Sequence, residues 1–182
     1  MKWIPRVAGI IILVPIIALI FWYFSSFYPH LSELNKIIKQ EEQLVSNVDD
    51  IYKLAVMVES TQGIRSYALR QSYRKLVFDK KPQKALYWHL NTALWYFSSY
   101  LHYNKNETFY LWSALVYIGK RGLHESSLHL FGKELKNLNL RQKAELVAMV
   151  KAPHRFRLDS DALQKRVDSI LENYKSITSR AN

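Results

Sequence analysis

The sequence predicts an all-α protein with one membrane-spanning helix at its N-terminus. Three observations carry this reading. Residues 7–24, VAGIIILVPIIALIFWYF, hold no charge. Beyond them, apolar residues recur at three- and four-residue spacing, and no segment alternates with the period of two that a half-buried strand needs. Five Gly and five Pro in 182 residues are too few for a turn-rich β-sandwich.

At about 1.5 Å of rise per residue, an apolar run of that length crosses a hydrocarbon core of about 30 Å. Pro15 is tolerated in a membrane helix, where it can introduce a kink. Trp22, Tyr23, Phe27 and Tyr28 have the character of an interfacial aromatic belt. They stand where a cleaved signal peptide would need small residues, so residues 1–28 read as a stub and anchor rather than a leader. Lys2 and Arg6 precede the run, and the next Lys or Arg is Lys36, with Glu33, Glu41 and Glu42 nearby. The positive-inside rule then places the N-terminus in the cytoplasm and residues 30–182 outside. In a bacterium this means the inner membrane, with a periplasmic or extracellular domain.

Residues 29–58 read as a linker, helical over 31–58 with Leu31, Leu34, Ile37, Ile38, Leu44, Val48, Ile51, Leu54, Ala55 and Val58 in register, and Ser32 or Ser46 as caps. Residues 59–63, ESTQG, break it, and helix resumes over 66–78 before the charged turn 79–82. A strongly aromatic helix follows over 83–103, with Leu86, Tyr87, Leu90, Leu94, Phe97 and Leu101 on one face. Further helices are predicted over 107–118, 123–131, 140–150 (capped by Asn139 and ended by Pro153) and 160–174. The domain is expected over 59–174, packed around Leu94, Phe97, Leu111, Leu115, Leu146 and Val147, with a polar tail over 175–182.

The chemistry available is limited by what is missing. There is no Cys, hence no disulfide and no thiolate. His124 and His129 are five apart, which does not place both on one helix face as a zinc-binding His pair requires. No metal or cofactor is expected. With 26 Lys and Arg against 15 Asp and Glu, the formal charge is +11, and such a surface seeks phosphate. For a domain outside the cell, nucleic acid is excluded and bilayer phospholipid or a lipid-linked phosphate is the expected partner. The cluster Arg65, Arg70, Arg74, Lys75, Lys80, Lys81 and Lys84 carries the basic character, with Arg70 and Arg74 one turn apart and able to fork one anion. A solvated helix face is the equally weighted alternative.

The second half also carries a family's order of motifs: 117–122 (YIGKRG), 126–133 (SSLHLFGK), 138–148 into 151–153 (KAP), and a closing helix from Gln164 and Arg166 to Leu171. It resembles the peptidoglycan glycosyltransferases, glycosyltransferase family 51, which include the transglycosylase domains of bifunctional penicillin-binding proteins and the monofunctional transglycosylases. The resemblance implies a lysozyme-like helical domain that uses lipid II. It implies Glu59 as general base, with Ser60 replacing the family's Asp. It also implies Ser66, Arg70, Gln71, Arg74, Lys75 and Lys84 around the donor diphosphate. Two departures fall on the chemistry. Six residues separate Glu59 from Ser66 where the family has a long segment, and Tyr87 stands where the family has a second Glu. The expectation is therefore a degenerate transglycosylase that binds lipid II, another lipid-linked diphosphate or an envelope membrane protein. A divergent working enzyme and an unrelated helical interaction module are the alternatives.

Overall fold

The computed structural model describes residues 4–45, 48–151 and 157–180. Ser46 and Pro153, expected as a cap and a helix stop, lie outside the described residues. Among the described residues the regular structure is helical except for a hairpin of two two-residue strands.

Helix α1, Ile4–Trp22, contains Pro15 and runs through a π turn, Tyr23–Phe27, and a 3-10 turn, Tyr28–His30, into α2, Leu31–Leu44. Within this run Leu13–Leu44 is a stretch long and apolar enough to cross a membrane, and its first part is exposed among the described residues. Helix α2 turns amphipathic, burying Leu34, Ile38 and Glu41 on one face against α5. Residues 29–58, expected as a linker, thus contribute to the core: Leu34, Ile38, Val45, Ile51, Leu54 and Ala55 are all buried. The expected single helix over 31–58 is also two helices. Val45 leaves helical geometry at φ −102°, ψ 64°, and α3 opens at Val48 with Asp49 and Asp50 in its first turn, where acids complement the helix dipole.

Helix α3, Val48–Tyr73, is the centre of the domain and packs on α4, α5, α7 and α8. A π turn, Arg74–Phe78, ends it. Helix α4 is Ala85–Ser99 and α5 is Lys105–Leu115, the latter opened by a capping box between Asn104 and Glu107. After α5 come strands β1, Tyr117–Ile118, and β2, Lys120–Arg121, turned by Gly119 at φ 77°. Helix α6, Leu123–Phe131, stops at left-handed Gly132. Helix α7, Leu140–Met149, is capped by Asn139 as expected, and α8, Asp161–Arg180, lies along it and continues into the segment expected as a tail.

The largest correction concerns α4. Leu111, Leu115, Leu146 and Val147 are buried as expected, but Leu94 is half-buried and Phe97 is exposed. Leu86, Tyr87, Leu90 and Leu101 are exposed as well. The helix instead buries Trp95, Ser98 and Ser99. The Trp95 ring stands edge-on to Phe27 at 5.1 Å and to Tyr73 at 5.3 Å, so one indole fills the space at the junction of α4, α3 and the end of the anchor. The polar groups beside it find partners: Asn91 accepts from the Trp22 indole N–H at 2.6 Å, and Ser99 accepts from Arg65 at 2.9 Å. With Trp95, Ser98 and Ser99 on the covered side, the leucine stripe is left outside.

Candidate functional site

The site begins at the break in α3. Ser60 has φ 61° and ψ 160°, a conformation open mainly to glycine and costly for a residue with a Cβ. Its hydroxyl accepts the Gly63 N–H at 3.1 Å and so caps the second half of the helix. Glu59, the last residue before the break, is half-buried and folds its carboxylate back over the new first turn. A Cβ on Gly63 would lie 3.5 Å from Glu59 Oε2, an ordinary contact, and a tighter 3.3 Å from Ser60 Oγ, so the small residue mainly keeps room for the capping hydroxyl. The N–H groups of a helix start favour a negative charge there.

From Gly63 the successive turns of α3 present Ser66 and Arg70. They form one wall of an open cleft of about 530 Å³, and α4 forms the other with Trp88, His89, Thr92, Tyr96 and Phe97. Arg70 is exposed and has no ion-pair partner among the described residues. Tyr67, next to Ser66, is half-buried and accepts a main-chain hydrogen bond from Tyr117. Burial raises its phenol above the ordinary value, against the pull of Arg70 and Arg121 and with a push from Glu59. One hydroxyl thus feels the carboxylate and both guanidinium groups, and it is protonated at neutral pH.

The other expected residues are not in this cleft. Gln71, Arg74 and Lys75 line a separate small recess with Asp79, Leu115 and Arg121. Arg70 and Arg74, expected to fork one anion, line different recesses. Arg74 opens the π turn, and its Nε sits 3.5 Å from Asp79 Oδ1, which draws the guanidinium toward the turn. Lys84 is the exposed N-cap of α4 and lines neither recess. Tyr87 is exposed, and its carbonyl accepts from Asn91 Nδ2 at 2.8 Å. Arg65, grouped by sequence with the phosphate-seeking residues, is buried. It donates to Ser99 Oγ at 2.9 Å and to the Tyr103 carbonyl at 3.0 Å, and its guanidinium carbon lies 4.1 Å from the centre of the Tyr100 ring. It clamps the C-terminal end of α4, where a cation is favoured.

His89, Thr92 and Tyr96 were missed as site residues. They recur at three- and four-residue spacing on α4, so the sequence holds the stripe. Assigning the leucines to the core turns that stripe toward solvent and hides it.

With this geometry in place, comparison with known proteins gives one finding. The family model described as "Transglycosylase" matches residues 54–175, from the first half of α3 into α8, and so takes in the break, both walls of the cleft and the hairpin. No curated protein matches the sequence.

Proposed function

The chain belongs to the transglycosylase family and has its helical, lysozyme-like fold, and we propose that it is a membrane-anchored member that binds a lipid-linked diphosphate such as lipid II while turning it over poorly or not at all. The observation that carries this reading is the composition of the cleft. It offers the free cation of Arg70, the Ser66 hydroxyl and His89, with Glu59 at the break as the carboxylate beside it.

Glycan polymerisation needs more than that. An acceptor sugar hydroxyl must form a bond to the anomeric carbon of the donor while the bond from that carbon to the diphosphate oxygen breaks. The leaving diphosphate takes the electron pair, and a base takes the hydroxyl proton. Cationic donors must meet the charge that grows on the leaving group. Glu59 is a candidate base and Arg70 a candidate donor. Where the family resemblance puts a second acid there is Tyr87, exposed and outside the cleft. Gln71, Arg74 and Lys75 face another recess. Such a site supports binding of the diphosphate better than the full reaction.

The apolar run of α1 supports attachment to the bacterial inner membrane, with Lys2 and Arg6 favouring a cytoplasmic N-terminus and an outside domain. The deciding experiment measures lipid II binding and glycan polymerisation side by side on the full chain in detergent. Binding without polymer is the expected result. A second reading, a divergent working enzyme, draws on the strained Ser60 beside Glu59, since stored backbone strain gathers at working sites.

A further inference from the structure

Helix α4 is inside out for a protein in water. Its covered side holds Trp95, Ser98 and Ser99, while Leu86, Phe97 and Leu101 are 77%, 66% and 76% exposed. Leu86, Leu90, Leu94, Phe97 and Leu101 follow one another at four- and three-residue steps, so they form one continuous stripe. A contiguous apolar stripe of this size marks a surface built to meet something apolar.

Its position says what. The stripe does not stand alone: Leu94, Phe97 and Leu101 share an apolar groove of about 440 Å³ with Leu19, Ile20 and Phe24 at the end of the anchor. Two buttresses hold the helix there. The Trp22 indole N–H donates to Asn91 Oδ1 at 2.6 Å, and Tyr23 Oη and His102 Nε2 share a hydrogen bond of 2.6 Å. The face of α4 is therefore continuous with the side of the helix that crosses the membrane, at the level of its aromatic belt. Just before α4, Lys80, Lys81 and Lys84 are all exposed, placed to meet anionic headgroups, which attract such basic residues.

We propose that the outer stripe of α4 is a second membrane contact, immersed in the headgroup and upper acyl region of the bilayer that α1 crosses. The inference rests on the anchor reading of α1 and does not depend on diphosphate binding. It has a consequence for the cleft. Phe97 lines both the cleft and the apolar groove, so α4 is a wall with lipid on one flank and the cleft on the other. The cleft then opens at headgroup height, where a diphosphate on a membrane-embedded lipid sits.

The chain has no cysteine, so single-cysteine labelling of the whole protein is clean. Leu90→Cys, Phe97→Cys and Leu101→Cys variants, with Leu19→Cys as an anchor control and Lys165→Cys on α8 as a water-facing control, are labelled with an environment-sensitive fluorophore. They are reconstituted into vesicles of phosphatidylethanolamine and phosphatidylglycerol. The expected result is quenching of all three α4 labels by spin-labelled lipid to an extent similar to Leu19→Cys, with iodide quenching several-fold weaker than at Lys165→Cys. Quenching at Leu19→Cys but water-like behaviour at the α4 positions overturns the proposal and leaves the anchor intact. Water-like behaviour at Leu19→Cys as well overturns the anchor and the proposal together. Shielding of the α4 labels from both quenchers, relieved on dilution into more lipid, overturns it in favour of a second copy of the chain.

Discussion

Ser113 Oγ donates to Glu41 Oε1 at 2.6 Å, between α2 and α5, where the glutamate is only 6% exposed. Burial raises the pKa of this carboxyl above its ordinary value, Ser113 pulls it partly back, and Glu125 adds to the rise. Relative to the unfolded chain, folding thus favours the protonated form. A pKa raised on folding gives stability that is present below the unfolded value and is lost as pH rises through the folded one. By neutral pH, Glu41 therefore costs stability. Glu41→Gln keeps an acceptor for Ser113, so it should raise the melting temperature at pH 7, and the gain should shrink as the pH falls toward the carboxylate range. Ser113→Ala removes the partner and should cost about 1–3 kcal/mol at pH 7. Thermal melts across pH test both, and a Glu41→Gln protein no more stable at neutral pH would contradict the account.

Ser60 combines a strained backbone with a cap, and substitutions separate the two. Ser60→Gly relaxes the positive φ and loses the hydroxyl that caps Gly63, so the opposing effects should leave stability within about 0.5 kcal/mol. Ser60→Ala keeps the strain and loses the cap, and should cost about 1 kcal/mol. Denaturant titration of the full chain in detergent reads the order, and equal losses in the two variants would show that the cap alone matters.

Arg65 and Arg70 lie in one run of sequence and should behave as opposites. Arg65→Ala leaves Ser99 and the Tyr103 carbonyl without their donor and removes the cation over Tyr100, and should cost about 2–4 kcal/mol. Arg70 is exposed at the cleft, and Arg70→Ala should change stability by less than about 0.5 kcal/mol. Chemical denaturation distinguishes them directly.

What the sequence disclosed and what it hid follow from the same physics. Asn139 as a cap and Leu146 and Val147 as core were legible because a capping box and an apolar repeat are local signals. The stripe on α4 was equally visible, yet a leucine repeat states that one face is apolar and not whether protein or lipid covers it. Trp95 decided the matter through contacts with Phe27 and Tyr73, far away in sequence. A break within residues 59–63 was legible from their composition, but it is confined to Ser60, with helix resuming at once rather than at Ser66, and serine carries no signal for its positive φ. The pairing of Ser66 and Arg70 with His89 and Tyr96 depends on how α4 docks, and spacing along one helix does not contain that.

Topology is open to a simple test. Lys2 and Arg6 before the span predict an outside C-terminus, so a periplasmically active reporter fused after Asn182 should be active and a cytoplasmic one silent. The reverse pattern would place the cleft on the cytoplasmic side, away from the substrate proposed for it.

The final prediction concerns ligand and turnover together. Arg70 lines the cleft with no ion-pair partner among the described residues, whereas Arg74 is turned toward Asp79 in another recess. Lipid II, or an undecaprenyl diphosphate mimic, should bind the full chain, and more weakly as salt rises, because the contact is charge on phosphate. Arg70→Ala should weaken binding by about ten- to a hundredfold, the range of a lost charge-assisted hydrogen bond. Arg74→Ala should weaken it much less. Glu59→Gln keeps the shape of the side chain and removes only the base, so binding should persist while any residual polymerisation disappears. Robust polymerisation by the parent chain, abolished by Glu59→Gln, would show a working enzyme and overturn the degenerate reading. Loss of binding in neither arginine variant, with lipid II still bound, would move the diphosphate out of the cleft. No binding by the parent chain would end the lipid-linked reading and favour an interaction module.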